Sequence, residues 1–207
     1  MKFSVIMPSY LGFIKRAAIN RPEKLIRAIQ SVIDQNFEDW ELIVVADGCD
    51  ETVNIVKRNF LEENNKIKLF KIEKQHNFSG TPRNVGIHKA SGEYVLYLDS
   101  DDVFLENHLK IINDNLDNHD WVWFNNLSWN KKTKHFDEFQ AEIDIKGKCG
   151  TANFCHKRSM ETYWSPAGGY AKDDWIMINT LRSKSEDFVK IETPQYGICH
   201  VPTLLDV

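Results

Sequence analysis

Two runs of carboxylates are where this sequence can do chemistry: Asp99, Asp101 and Asp102 in one, Asp173 and Asp174 in the other. The first run closes Tyr94-Val95-Leu96-Tyr97-Leu98, an apolar, β-prone stretch of the kind a parallel sheet buries on both faces. Burying carboxylates at its end would be costly, so they should project from the strand's carboxyl edge, where open α/β sheets bind ligands. If the chain stays extended there, Asp99 and Asp101 share one face and Ser100 points away. Two hard oxygen donors beside a cleft suit Mg²⁺ or Mn²⁺ with a phosphate as co-ligand. An EF-hand is excluded, because its loop glycine and terminal glutamate are absent. Asp102 has a second use open to it, as N-cap of a helix begun by Val103-Phe104-Leu105. A polar turn followed by a helix cap is the plainer account of the same residues.

The second run follows Gly168-Gly169-Tyr170 and precedes Trp175, Ile178 and Leu181, which mark a helix face. Acidic residues in a first helical turn gain about 0.3–1 kcal/mol from the helix dipole without any catalysis. With a helix starting near Asp173, that residue is the N-cap and its carboxylate is taken up by backbone N–H groups. Asp174 is then the one left to turn towards a cleft as a base.

The elements that must position these groups alternate. Phe3 to Met7 reads as a strand closed by Pro8, which cannot continue a central ladder, so Pro8, Ser9 and Tyr10 land on the aspartates' edge. A basic loop with Lys15, Arg16 and Arg21 follows, and Pro22-Glu23 opens a helix with Leu25, Ile26, Ile29, Val32 and Ile33 at helical spacing. Trp40 to Ala46 is a second buried-type strand with Asp47-Gly48 as its turn. A helix from about Glu51 to Leu61 and a strand from Ile67 to Ile72 complete another β-α-β unit. This alternation predicts a mostly parallel sheet with right-handed crossovers. Thr81 is placed as an N-cap and Pro82 in the first turn of the next helix. Arg83 then sits in the first turn, where a cation gains nothing from the dipole and is better explained by an anion it meets. Gly86 fits close helix packing. Beyond the acidic run come a helix from Phe104 to Leu116 and aromatic strands, Trp121 to Phe124 and Leu127 to Trp129, around a turn at Asn130-Lys131-Lys132. Tyr196 to His200 reads as a short strand carrying one histidine.

At 207 residues with 42% hydrophobic and 12% aromatic content, the chain can bury a core as one domain. A net charge of −4 argues against a dedicated nucleic-acid binder. Cys49, Cys149, Cys155 and Cys199 form no C-x-x-C pair and read as free thiols of a reducing compartment. No run reaches the length of a signal peptide or a transmembrane helix, so the expectation is a soluble, cytoplasmic protein. Peripheral membrane contact and oligomeric state stay open.

In this order the pieces resemble the family 2 glycosyltransferases of the GT-A fold. The matching residues are Ser4-Val5-Ile6-Met7-Pro8-Ser9-Tyr10, Trp40-Glu41-Leu42-Ile43-Val44-Val45-Ala46-Asp47-Gly48, Arg83-Asn84-Val85-Gly86-Ile87, Gly92-Glu93-Tyr94 with Asp99-Ser100-Asp101-Asp102, and Asp173-Asp174-Trp175. The resemblance is dense to about Asp102 and thinner beyond, at Cys155-His156-Lys157-Arg158, Asp173-Asp174-Trp175 and His200. It implies an α/β GT-A domain over 1–207, with a Rossmann-like nucleotide-binding half over 1–102 and a more irregular acceptor-binding half over 103–207. It implies that Pro8, Tyr10 and Asp47 hold base and ribose and that Arg83 lies near the nucleotide, with Ser9 and Ser100 among the donor-binding residues. Asp99 and Asp101 become a D-x-D pair that binds the nucleotide-sugar through Mn²⁺ or Mg²⁺, with His200 near the metal or diphosphate. Asp174 becomes the catalytic base ending an acidic pair with Asp173. The implied reaction moves a sugar from a nucleotide-diphosphate sugar, UDP-linked by family analogy, to a carbohydrate or other hydroxyl acceptor, with inversion. The chain departs from the family in Ala46-Asp47, where two acids are usual, in a longer loop from Leu11 to Arg21, and in Asp-Asp where Glu-Asp is commoner.

Two other readings use the same residues. A nucleotidyltransferase shares the architecture and metal but needs a Gly-rich phosphate loop, where Pro8-Ser9-Tyr10-Leu11-Gly12 offers one glycine. A non-catalytic sugar-nucleotide or glycan-binding module would have no use for a base at Asp174.

Overall fold

The structure is a computed structural model, and it describes residues 1–13, 19–75, 79–130, 132–165, 172–193 and 196–198. In chain order the elements are β1 (Phe3–Ser9), α1 (Arg21–Ile33), β2 (Trp40–Asp47), α2 (Asp50–Val56), β3 (Ile67–Ile72), α3 (Gly80–Lys89), β4 (Tyr94–Tyr97) and β5 (Val103–Phe104). They continue with α4 (His108–Leu116), β6 (Trp121–Phe124), β7 (Asn126–Asn130), β8 (His135–Phe139), β9 (Phe154–Lys157), α5 (Lys172–Lys184), β10 (Phe188–Ile191) and β11 (Tyr196–Ile198). A π-helical turn, Lys57–Leu61, prolongs α2, and a 3₁₀ turn, Thr151–Asn153, precedes β9.

Seven strands form one sheet in the order β10-β6-β9-β4-β1-β2-β3, and four form a second in the order β5-β11-β7-β8. The large sheet is parallel except for β9, which runs antiparallel between β4 and β6. Its strands are apolar on both faces because both faces are covered. Leu25, Ala28, Ile29 and Val32 of α1 pack on one face with Ile55 and Val56 of α2 and Leu109, Ile112 and Leu116 of α4. Ile87 of α3, Met177, Ile178 and Leu181 of α5 and Trp164 cover the other, against Trp121 of β6 and Phe154 of β9. Residues alternate accordingly along β1: Val5 and Met7 face the first layer, Ile6 the second. A Cβ on Gly86 would lie 2.3 Å from Ile6 Cγ2, so the missing side chain is what lets α3 sit on β1.

Several expectations need correction. Pro8 does not close β1: it lies inside the strand, in register with Val45 of β2. The β4 ladder ends at Ile6↔Tyr97, with Leu98 N–H still donating to Ile6 O at 3.0 Å. Pro8 faces that same side, just past the last rung, so the donor it lacks is not missed. Val103–Phe104 is not helical but a strand paired with β11, and the helix expected from Phe104 begins at His108. Asp102 therefore caps nothing. The α3 helix begins at Gly80 after Ser79, which moves Thr81 inside the first turn rather than at the cap. The turn at Asn130 joins β7 to β8, a hairpin pairing Trp129 with Phe136, and Lys131 lies outside the described residues. Cys49, Cys149 and Cys155 are buried free thiols; Cys199 lies outside the described residues. Among the described residues no helix is long and apolar enough to cross a membrane.

At the sheet's amino edge, Glu41 is fully buried and holds four strand beginnings together. It accepts from Ser4 Oγ at 2.6 Å, Ser91 N at 2.6 Å and Ser91 Oγ at 2.8 Å, and pairs with Lys68 Nζ at 2.5 Å. Burial alone would raise its pKa, but Lys68, Ser4 and Ser91 prevail and hold it down to about 2 from 4.5. A depressed carboxylate contributes stability that is present above its unfolded value and lost as pH falls through its folded one. A shift of this size is worth roughly 3 kcal/mol at neutral pH. Urea unfolding of Glu41→Gln should therefore show a large deficit at pH 7 that shrinks between about pH 4.5 and 2. A deficit independent of pH over that window would refute the assignment.

Candidate active site

The candidate site lies at the opposite edge, where β4 runs out. From Asp99 the chain turns instead of staying extended, with Asp102 N–H donating to Asp99 O at 3.0 Å. The shared extended face expected for Asp99 and Asp101 is thus replaced by a turn carrying Asp99, Ser100, Asp101 and Asp102, the first three half-buried. Tyr196 of β11 holds this turn from below. Its hydroxyl accepts from Asp99 N at 3.1 Å and donates to Asp102 Oδ2 at 3.2 Å. Burial pushes the Asp102 carboxyl well above the usual range, Asp101 and Asp99 push the same way, and Tyr196 and Arg27 oppose them. Arg27 of α1 also donates to Asp101 O at 3.1 Å, tying the turn to the first helical layer.

Arg83 crosses to the same place from α3. Its guanidinium pairs with Asp99 Oδ1 at 2.7 Å and lies over the Trp164 ring, 4.6 Å from the centroid. The side chain is buried, so charge and ring face replace the water it has lost. Burial would lower its pKa, but the Asp99 carboxylate raises it, and Arg83 stays charged. Trp164 is itself clamped by α3: Asn84 Nδ2 donates to Trp164 O and Trp164 N donates to Asn84 Oδ1, both at 2.8 Å. The anion expected for Arg83 is present within the chain, as the first aspartate of the acidic run.

Asp174 enters from the start of α5. It is half-buried, and Thr151 Oγ donates to its Oδ1 at 2.9 Å. Burial raises its pKa; Arg83 and Thr151 pull it back, and Asp99 and Asp173 push it up again. Arg83, Asp99 and Asp174 therefore form one electrostatic cluster built from three elements far apart in sequence. Asp173 differs from expectation. The helix starts at Lys172, which puts Asp173 inside the first turn, not at the cap. It is buried, and Oδ1 has no hydrogen-bond partner among the described residues. Gly168, Gly169 and Tyr170 lie outside the described residues.

A second group stands at the ends of β1 and β2. Asp47 is buried, accepting from Lys74 Nζ at 2.6 Å and from Gln75 N at 2.7 Å. Lys74 Nζ also lies 4.3 Å from the centroid of the Tyr10 ring, covering one of its faces. Tyr10 O accepts from Arg21. Pro8 continues the strand, and Ser9 Oγ is spent on Thr52 Oγ at 3.0 Å. Lys15 and Arg16 lie outside the described residues. Lys74, Trp164, Thr151 and Tyr196 carried no motif in the sequence; Asn84, beside Arg83, was the one hint of the clamp on Trp164.

The carboxylates Asp99 and Asp101 are hard oxygen donors of the type Mg²⁺ and Mn²⁺ take. Among the described residues no group of three or more His, Cys, Asp or Glu side chains could hold an ion by itself, and His200 lies outside them. Such a pair fits the usual Mg²⁺ pattern, in which one or two carboxylates are completed by substrate phosphates and water.

The family model for Glycosyl transferase family 2 matches residues 4–177. The chain is 34% identical over 114 residues to the poly(ribitol-phosphate) beta-N-acetylglucosaminyltransferase TarP of Staphylococcus aureus, covering 53% of this chain and 31% of that protein. It spans well under half the length of such curated relatives. Among solved structures, S. aureus TarS 1–349 in complex with UDP superposes with a TM-score of 0.74 at 22% identity, over 96% of this chain and 60% of that one. The mannosyltransferase PcManGT from Pyrobaculum calidifontis, in complex with GDP-Man and Mn²⁺, gives 0.62 at 17% identity, over 98% and 58%. These likenesses establish a shared fold, the α/β GT-A type.

Removing the charge but not the bulk of Arg83 tests the cluster's internal balance. Arg83→Met keeps the stem over Trp164 and strands Asp99 beside a neutral group. Breaking a buried pair costs about 3–5 kcal/mol, and partial exposure of Asp99 reduces this to roughly 1–3 kcal/mol. An unchanged urea midpoint at pH 7 would show that the pair does not hold the fold.

Proposed function

The chain belongs to glycosyl transferase family 2, and from that premise we propose that it moves a sugar from a UDP-sugar to an acceptor hydroxyl, with inversion and with Mn²⁺ or Mg²⁺. The observation that carries the reading is the cluster of Arg83, Asp99 and Asp174 at the carboxyl edge of the sheet. The solved relative holding UDP supports the choice of carrier, and the one holding GDP-Man and Mn²⁺ supports a metal.

In this reading Tyr10 and Asp47 bound the nucleoside end. Asp47 fixes Lys74, which puts a cation over one face of the Tyr10 ring. Asp99 and Asp101 would hold the metal with the donor's phosphates. Bound there, the metal would neutralise charge on the departing diphosphate. Arg83 fixes Asp99 and adds a cation beside the same charge. Asp174, its pKa already raised, takes the proton from the acceptor hydroxyl on the side away from the diphosphate. One displacement assisted by one base inverts the anomeric carbon.

The first test is the product. Incubated with UDP-sugars and Mn²⁺, the protein should release UDP. Pyrophosphate as the product would mean nucleotidyl transfer, and binding without product would mean a non-catalytic module. Asp101→Ala should remove the Mn²⁺-dependent part of donor affinity, read by calorimetry, while the fold survives. Metal-linked affinity that persists in this variant would move the metal elsewhere.

The acidic pair is tested by two separate variants. Asp174→Asn should cost roughly 10²–10⁴-fold in single-turnover transfer at saturating donor, with donor affinity retained. Asp173→Asn should transfer normally or nearly so. The reverse pattern would make Asp173 the base.

A further inference from the structure

Asp174 is held by a short segment to which nothing so far assigns a function. In the turn Thr151–Asn153, Asn153 is buried and every polar atom of its amide is used. Its Oδ1 accepts from Gly150 N at 3.0 Å, and its Nδ2 donates to Phe124 O at 2.9 Å and to Asn126 Oδ1 at 2.7 Å. Asn153 N also donates to Gly150 O at 3.0 Å. The turn is thus anchored to the carboxyl end of β6 and the start of β7. From that anchor Thr151 Oγ reaches Asp174 Oδ1 at 2.9 Å. This is the one hydrogen bond Asp174 receives among the described residues. Asp174 Oδ2 faces Gly150, and a Cβ added there would stand 3.5 Å from it.

The two oxygens of one carboxylate are therefore placed differently. Oδ1 is occupied by a hydroxyl whose own position is fixed through Asn153. Oδ2 looks onto backbone kept bare by a glycine. We propose that the segment Gly150–Asn153 positions Asp174: Thr151 fixes Oδ1 so that Oδ2 receives the acceptor's proton, and Gly150 leaves space there for the acceptor hydroxyl. This rests on the reading of Asp174 as the base. In that step the acceptor O–H proton passes to Oδ2 and the acceptor oxygen bonds to the anomeric carbon. The bond from that carbon to the diphosphate breaks, and its electron pair leaves with the nucleoside diphosphate. Thr151 touches no reacting atom and is a positioning residue.

The charged groups that act on Asp174 are Arg83 from α3, Asp99 from the turn after β4 and Asp173 from its own helix; the Cys149 thiol just before the segment is raised by burial and by Asp174 and stays neutral. Thr151 stabilises the ionised form, so losing its hydrogen bond raises the carboxyl further. The sign is fixed: activity on the acid side is lost at a higher pH.

Thr151→Val keeps the shape and removes the donor; Thr151→Ser restores it. Carboxyl ¹³C NMR of the full chain follows Asp174 without any substrate. The titration point should rise by about one pH unit in Thr151→Val and return in Thr151→Ser. Release of UDP from UDP-GlcNAc, UDP-glucose or UDP-galactose with Mn²⁺ should fall roughly tenfold on the pH plateau in Thr151→Val. UDP affinity should be unchanged, and the acid limb should move with the titration point. Gly150→Ala should lower turnover without moving the titration. An unmoved titration point in Thr151→Val, or a Thr151→Ser variant as impaired as Thr151→Val, overturns the proposal. The underlying reading fails separately: Asp174→Asn with wild-type UDP release removes the base, and the positioning role with it. Asp174→Asn inactive beside a fully active Thr151→Val removes the positioning role alone.

Discussion

A charged guanidinium cannot stay under the surface of a protein unless something replaces its water, and that constraint organises the site. Arg83 is buried, and its replacement solvent comes from three directions: Asp99 at the end of β4, the face of Trp164, and the field of Asp174 from α5. These elements belong to opposite halves of the chain. The Arg83 cation makes their meeting obligatory, because no one of them satisfies it alone. The clamp between Asn84 and Trp164 has the same logic, since it fixes the aromatic face before the charge is laid on it.

The two edges of the sheet show different uses of buried charge. At the amino edge Glu41 is surrounded by donors, and its carboxylate is driven far down in pKa. A group so satisfied is inert as a base and serves the joining of β1, β2, β3 and the start of β4. At the carboxyl edge the carboxylates outnumber the donors. Asp102 and Asp174 are both raised, and Asp173 keeps an oxygen without a partner among the described residues. Incomplete satisfaction destabilises a fold and makes a site reactive. The sheet separates the two by the length of its strands.

Much of this was legible from local pattern. The strands β1 to β4 and helix α1 follow from apolar runs and periodicity, and the acidic run was placed at a strand end because carboxylates could not be buried mid-strand. What failed did so for reasons of tertiary structure. Pro8 reads as a stop, yet the ladder it would interrupt had already ended on that side. Val103-Phe104 reads equally as helix or strand, and pairing with β11 decides. Asp173 was misplaced by two positions at a helix start, from the cap to the second helical residue, enough to turn a capping carboxylate into a buried one. β9 was not read at all, because a four-residue strand wedged between two others announces itself only through its partners. Trp164, Lys74 and Thr151 have no local signature either; each matters through a residue far away in sequence.

The charge inventory of the carboxyl edge also constrains how a ligand can approach it. Asp99, Asp101, Asp102, Asp173 and Asp174 converge on one edge, where Arg83 is buried against Asp99, and Lys74 is committed to Asp47. An anionic diphosphate arriving alone would meet a surplus of like charge. The divalent cation of the proposed reaction would be attracted by the same carboxylates and, bound there, would make that approach more favourable to phosphate. In the proposed reaction, the same carboxylate surplus would make metal and donor bind cooperatively. Pairing Arg83 with Asp99 in advance leaves less negative charge for a divalent ion to offset.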